Sequence, residues 1–258
     1  VSEPGAPRVV PVPDPAPALN VLVTGGSGPS GIAVARALHQ AGFRVFTVGS
    51  DSTRIEAAAR KAGDGVTPLV CDLADPADVE ALRKTLAGAA GAMDGVIHLV
   101  GGWRGATGIT DQSDADWDFL ERGAITTLRN VSRAFYADLA AAGTGRFAMV
   151  SSTAVDKPTA ATASYVAAKA AAETWTLAMA EGLARGAADE GTALRGAAVV
   201  LVVKALVDAE LRKAHPERTF AGATDVEDLA AAVVGLFSRP AAELNGRRLP
   251  LTPDPKIP

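Results

Sequence analysis

Cysteine is nearly absent from this chain. Among 258 residues only Cys71 carries a thiol, which excludes an intramolecular disulfide and a cysteine-built metal cluster and fits a reducing compartment. The expected location is cytoplasmic, and no metal site is expected. Long apolar runs are missing too. None reaches the roughly 18 residues of a membrane span, and the start lacks the basic region and apolar core of a signal peptide. Lys and Arg are not clustered, the formal net charge is −4 and the pI is about 5.5. Such a balance offers no surface for a polyanion, so neither nucleic acid nor membrane is an expected partner. Internal repeats and a second composition regime are also lacking. With 48% hydrophobic residues, the length suits one sizeable α/β core.

The first 18 residues hold Pro4, Pro7, Pro11, Pro13, Pro15 and Pro17, a density that removes backbone donors and favours an extended arm. Residues 19–258 read as one domain. Apolar strand patterns fall at 20–24, 43–48, 66–71, 94–100, 146–151, 194–203 and 248–251. A helical pattern through Val34, Ala35, Leu38 and Ala41 follows the first strand, and further helices read at 53–62, 74–87, 114–142, 162–188 and 225–237. Regular alternation of this kind predicts a parallel sheet covered on both faces. Residues 205–222 are amphipathic and charged, and read as a mobile cover over the sheet's carboxyl edge.

Two stretches carry chemistry. Tyr165 and Lys169 lie one helical turn apart and so share a face, and Ser152 precedes the tyrosine by thirteen residues. A phenol has a pKa of about 10, and a nearby ammonium favours its ionised form. With a serine hydroxyl holding a carbonyl oxygen beside the phenol, this set suits proton transfer coupled to hydride transfer. The second stretch, Thr24-Gly25-Gly26-Ser27-Gly28-Pro29-Ser30-Gly31, lies between a strand and a helix, where backbone N–H groups and the helix dipole can hold a pyrophosphate. Gly25 makes the tight turn and Gly31 lets the helix pack on the sheet.

With these motifs, residues 20–251 resemble the short-chain dehydrogenase/reductase family in its single-domain form. The resemblance implies a Rossmann-type α/β fold, a doubly wound parallel seven-stranded sheet with helices on both faces. It implies a nicotinamide dinucleotide, NADP or NAD, seated on Gly25, Ser27, Gly28, Pro29, Ser30 and Gly31. Asp72 and Leu73 would meet the adenine, Val100 and Gly101 the ribose, and Leu206 the carboxamide. In catalysis it implies Tyr165 as acid/base, Lys169 as pKa-lowering group and ribose ligand, and Ser152 as orienter of a carbonyl or secondary alcohol substrate. It also implies a homodimer or homotetramer built through the helices at 114–142 and 162–188.

Departures from the family pattern are equally specific. Pro29 replaces the middle glycine, and His98 opens the segment that is usually Asn-Asn-Ala-Gly, where it reads as a core histidine. Ala124 stands where a catalytic asparagine would be, Val203-Lys204 replaces a Pro-Gly turn, and Asp208 replaces a threonine. At the tip of the second strand, Gly49 removes the acid that selects NAD. Ser50 replaces the arginine favoured by NADP, leaving Arg54 as a cation and Asp51 as a repeller, with a slight lean to NADP. Two readings follow: an oxidoreductase acting through Tyr165, or a dinucleotide-binding relative with degraded catalysis that acts by binding or sensing.

Overall fold

The computed structural model describes residues 18–251, so the proline-rich arm read at 1–18 lies outside the described residues except for Ala18. The chain runs through β1 (Asn20–Thr24), α1 (Pro29–Gln40), β2 (Arg44–Gly49), α2 (Ser52–Ala62), β3 (Thr67–Val70), α3 (Pro76–Ala90) and β4 (Gly95–His98). It continues through α4 (Asp114–Glu121), a wide π turn (Arg122–Thr126), α5 (Thr127–Ala141), β5 (Arg146–Ser152), α6 (Ala163–Asp189) and β6 (Ala197–Val203). The last elements are β7 (Leu206–Val207), α7 (Ala209–Ala214), β8 (Thr224–Asp225), α8 (Val226–Leu236), α9 (Ala241–Leu244) and β9 (Arg248–Pro250).

Seven strands form one parallel sheet in the order β3-β2-β1-β4-β5-β6-β9. Its central strands are apolar on both faces because helices cover both. On one side Phe135 and Leu139 of α5 and Leu183 of α6 meet Leu22, Val96, Phe147 and Val200. On the other, Val34 and Leu38 of α1 and Leu229 and Val233 of α8 meet Val21, Val23, Ile97 and Val199. This is the doubly wound α/β architecture that the alternation predicts. Among the described residues no helix is long and apolar enough to cross a membrane.

Two details differ from the pattern read in the sequence. The helix expected over 114–142 is interrupted by the π turn, at which Ala124 is buried against Leu120 and Ala168. Thr127 Oγ1 there donates to Gly123 O at 2.7 Å, a side-chain bond that competes with the regular helical ladder. The segment read as a mobile cover at 205–222 is pinned at several points. β7 pairs with β8 in a separate two-stranded sheet, Asp208 caps α7 by accepting from Leu211 N at 2.7 Å, and Arg212 grips Asp225 at 3.0 Å. Asp225 precedes α8 but makes no side-chain cap, because its carboxylate holds that arginine.

At the edge of the sheet opposite the glycine turn, Arg146 is 3% exposed. Its guanidinium donates to the carbonyls of Leu236, Gly145, Arg195 and Arg239 at 2.7–2.8 Å, binding β5 to the chain before β6 and after α8. Arg146→Met removes every one of these donors and leaves carbonyls poorly satisfied, a loss of about 3 kcal/mol. Urea unfolding should show this as a lower midpoint, with dinucleotide affinity unchanged because the residue lies at the far end of its strand.

Candidate dinucleotide and ligand site

The site is built at the carboxyl ends of β1, β2, β4, β5 and β6. Gly25 has φ +74°, and a Cβ there would lie 2.8 Å from the Leu99 carbonyl. A Cβ at Gly31 would lie 2.5 Å from Gly25 O. No L side chain fits either place, so α1 seats directly on the turn. Gly28 precedes α1 without a side-chain cap and Pro29 occupies its first turn, where a missing N–H costs little. Ser27 Oγ is buried and has no hydrogen-bond partner among the described residues. A phosphate oxygen at this helix end would satisfy both the hydroxyl and the uncapped N–H groups. The cradle therefore fits a dinucleotide.

Next to it is a cleft of about 520 Å³ whose walls include Gly25, Ser27, Gly28, Gly49, Ser50 and Asp72. Leu73, Val100 and Gly101 complete the wall, together with Arg54 and Arg122. A Cβ at Gly49 would stand 2.4 Å from Ser27 Oγ, so a side chain there would require the serine hydroxyl to turn away. Asp51 caps α2, accepting from Arg54 N at 2.8 Å, and lies 3.8 Å from Arg54 Nε. Its charge is thereby partly answered. Asp72 Oδ1 accepts from Ala74 N at 3.0 Å and Oδ2 accepts from Arg122 Nη2 at 2.6 Å, while Asp75 caps α3 through Ala77 N at 2.7 Å.

A second pocket of about 400 Å³ adjoins the cleft through Leu99, Val100 and Gly101. Ser30, Trp103, Tyr165, Lys169, Lys204 and Leu206 line it. The backbone thus brings together most of the residues singled out in the sequence. Ser152 is buried beside this pocket and caps the turn that follows β5, accepting from Ala154 N at 3.2 Å. Pro29 lines neither space; it faces a separate cleft bounded by Ile32, Arg36, Val207 and Glu227.

His98 is a core residue with fixed hydrogen bonds. Thr127 Oγ1 spends its proton on Gly123 O, so at 3.2 Å it accepts from His98 Nε2, and His98 Nδ1 accepts from Thr24 Oγ1 at 2.8 Å. Burial, reinforced by Lys169, pushes its pKa down to about 3, and the ring is neutral at physiological pH.

The electrostatics of Tyr165 run against the sequence expectation. Burial raises the phenol's pKa, and a hydrogen bond with Ser152 opposes that rise. Lys169 Nζ donates to Val150 O at 2.8 Å. Burial drives the Lys169 pKa down to about 8, with Glu173 acting in the opposite direction. Spacing in the helix brings the two side chains to one pocket, yet it does not couple them as acid and activator. Two neighbours were not readable beforehand. Arg122, the first residue of the π turn, lines the cleft and donates to Asp72. Gln112 ties the loop to α6, donating to Ala160 O at 2.9 Å and accepting from Ser164 N at 3.2 Å; a lone loop glutamine carries no sequence signal.

A family model described as short chain dehydrogenase matches residues 19–190. The chain belongs to that family. Among curated proteins, this short-chain dehydrogenase family member is 27% identical over 229 residues to a 3-oxoacyl-(acyl-carrier-protein) reductase of Vibrio cholerae, covering 88% of this chain and 93% of that one. Among solved structures it superposes on an NAD+-bound xylitol dehydrogenase with a TM-score of 0.77 at 18% identity, covering 91% and 97% of the two chains. An NADPH-bound short chain oxidoreductase of Pseudomonas aeruginosa PAO1, containing an atypical catalytic center, superposes with a TM-score of 0.76 at 19% identity, covering 93% and 97%.

The expectation of an oxidoreductase using Tyr165 as acid/base is therefore corrected. Lys169 Nζ is given to the Val150 carbonyl, burial raises the Tyr165 pKa, and Ala124 supplies no relay amide.

The lysine leaves a signature in stability. Its folded pKa of about 8 lies below the ordinary 10.5, so between those values the unfolded chain holds a proton that the folded lysine has released. Unfolding free energy should rise with pH across that window. Subtracting the profile of Lys169→Met from that of the wild type in urea titrations should isolate this rise; identical slopes would remove the assignment.

Proposed function

We propose that this short-chain dehydrogenase family member is a nicotinamide dinucleotide-binding protein with degraded catalysis, acting by binding or sensing. The observation that carries this reading is the mismatch between its two halves. The phosphate cradle is complete, with glycines where no Cβ fits and an unpartnered Ser27 hydroxyl. The proton machinery is not, since Lys169 is committed to Val150 O and Tyr165 is driven away from ionisation. A bound nicotinamide would supply a hydride donor or acceptor.

Ser27 and the first N–H groups of α1 would hold the pyrophosphate. Asp72 and Leu73 would face the adenine, Val100 and Gly101 the adjoining ribose. Lys169 would reach the nicotinamide ribose, and Leu206 the carboxamide. The slight lean to NADP is supported by the missing acid at Gly49 and by two cations, Arg54 and Arg122, in the cleft wall. Assembly through α5 and α6 belongs to the same reading, with an outer groove formed by Tyr136, Trp175 and Met179.

Titration of the protein with NADPH and NADH, followed by energy transfer from Trp103, Trp117 and Trp175, tests it. Binding is expected, tighter for NADPH, and Tyr165→Phe should retain it. Gly31→Ala should weaken it more than about tenfold, or 1.4 kcal/mol. Turnover of simple ketones that disappears in Tyr165→Phe would refute the degraded site, and absence of binding would refute the dinucleotide.

A further inference from the structure

Arg248 opens β9, the edge strand of the large sheet, and its guanidinium is shared between two carboxylates. Nη1 donates to Asp156 Oδ1 at 2.9 Å, at the end of the turn that Ser152 caps. Toward Glu173 of α6, Nη2 donates to Oε1 at 3.4 Å, and Nε stands 2.8 Å from Oε2 without the alignment of a hydrogen bond. The short, aligned bond therefore goes to Asp156. Water reaches the Asp156 side chain, which is 54% exposed, whereas that of Glu173 is 8% exposed. The less answered of the two charges is the buried one, where its field is least screened.

Glu173 lies one helical turn after Lys169 and on the same face of α6. Both residues are buried. Burial drives the Lys169 pKa down to about 8, and Glu173 opposes that fall. The other groups around the ammonium do not supply a negative charge. Val150 O of β5 accepts from it, His98 of β4 is a neutral ring, and Tyr165 is a neutral phenol. Lys204, after β6, lines the same pocket as a second cation and is held to Ala221 O at 2.8 Å. Of these neighbours only Glu173 is a carboxylate.

We propose that Arg248 is a positioning residue of the dinucleotide site, dividing the charge of Glu173 between its own guanidinium and the Lys169 ammonium. When Arg248 holds Glu173 closely, Lys169 gives up its proton more readily; when Asp156 draws the guanidinium away, Glu173 keeps Lys169 charged. An ammonium has three donors and loses one with its proton. An ion network at the sheet edge thus adjusts the grip of Lys169 on the nicotinamide ribose without touching the ligand. The network stands on its own contacts, and its effect on a ligand rests on the dinucleotide reading.

The Cε resonance of Lys169 in the full chain, made with isotope-labelled lysine and identified by its loss in Lys169→Met, is followed against pH by NMR. The wild-type midpoint is expected at about 8. Glu173→Gln should lower it by about half a pH unit or more, Arg248→Met should raise it by as much, and Arg248→Lys should restore the wild-type value. Opposite directions are the signature, since a merely structural loss would move both variants the same way. Shifts of one sign, or none, overturn the proposal. Should Arg248→Met fail to fold, Asp156→Asn decides: it releases the guanidinium to Glu173 and should lower the midpoint, and an unmoved midpoint overturns the proposal. NADPH affinity should fall about threefold or more as pH rises through the midpoint, and at higher pH in Arg248→Met than in wild type. The same pH dependence in every variant overturns the proposal too. Opposite shifts of Lys169 without NADPH binding at any pH would sink the dinucleotide reading and leave the ion network standing.

Discussion

Everything at this site depends on one close approach: Gly31 rests so near the Gly25 carbonyl, and Gly25 so near the Leu99 carbonyl, that a single added carbon at either would collide with backbone. That contact sets where α1 begins, aims its uncapped end across the sheet edge and brings Ser27 against Gly49. At the tip of β2 a Cβ on residue 49 would meet Ser27 Oγ, so the serine and the glycine share one small space.

The broad architecture was legible because parallel strands covered on both faces must be apolar throughout, as the run from Ala197 to Val203 is. The glycine turn was legible because only glycine satisfies its geometry. What escaped the sequence depends on contacts between distant residues. The π turn arises where Thr127, Gly123 and Ala124 meet α6 and β4, and no periodicity announces it. The pinning of 205–222 needs Arg212 to find Asp225 and β7 to find β8. Spacing could place Tyr165 and Lys169 on one face, but the carbonyl that captures the ammonium belongs to β5, and the burial that opposes ionisation is a property of the whole pocket.

The two halves of the site illustrate how unequally a family's machinery can persist. The cradle is built from backbone, glycines and the Ser27 hydroxyl, so its shape lasts as long as the turn folds. Proton transfer requires several side chains with matched environments, and here Lys169 Nζ is held by the Val150 carbonyl while Ala124 brings no polar group. The Val203-Lys204 substitution changes the same region in another way, adding a cation where the usual turn would be neutral.

The bonds around His98 carry a further meaning. Thr24, His98, Thr127 and Gly123 form a directed chain in which each hydroxyl has one assigned role. It runs from the strand that launches the glycine turn, across the neighbouring strand, to the π turn above the adenine end. With its pKa pushed down to about 3 by burial, His98 is neutral at physiological pH and this cross-tie keeps its polarity there. The glycine turn and the π turn are thereby tied to each other through one buried ring.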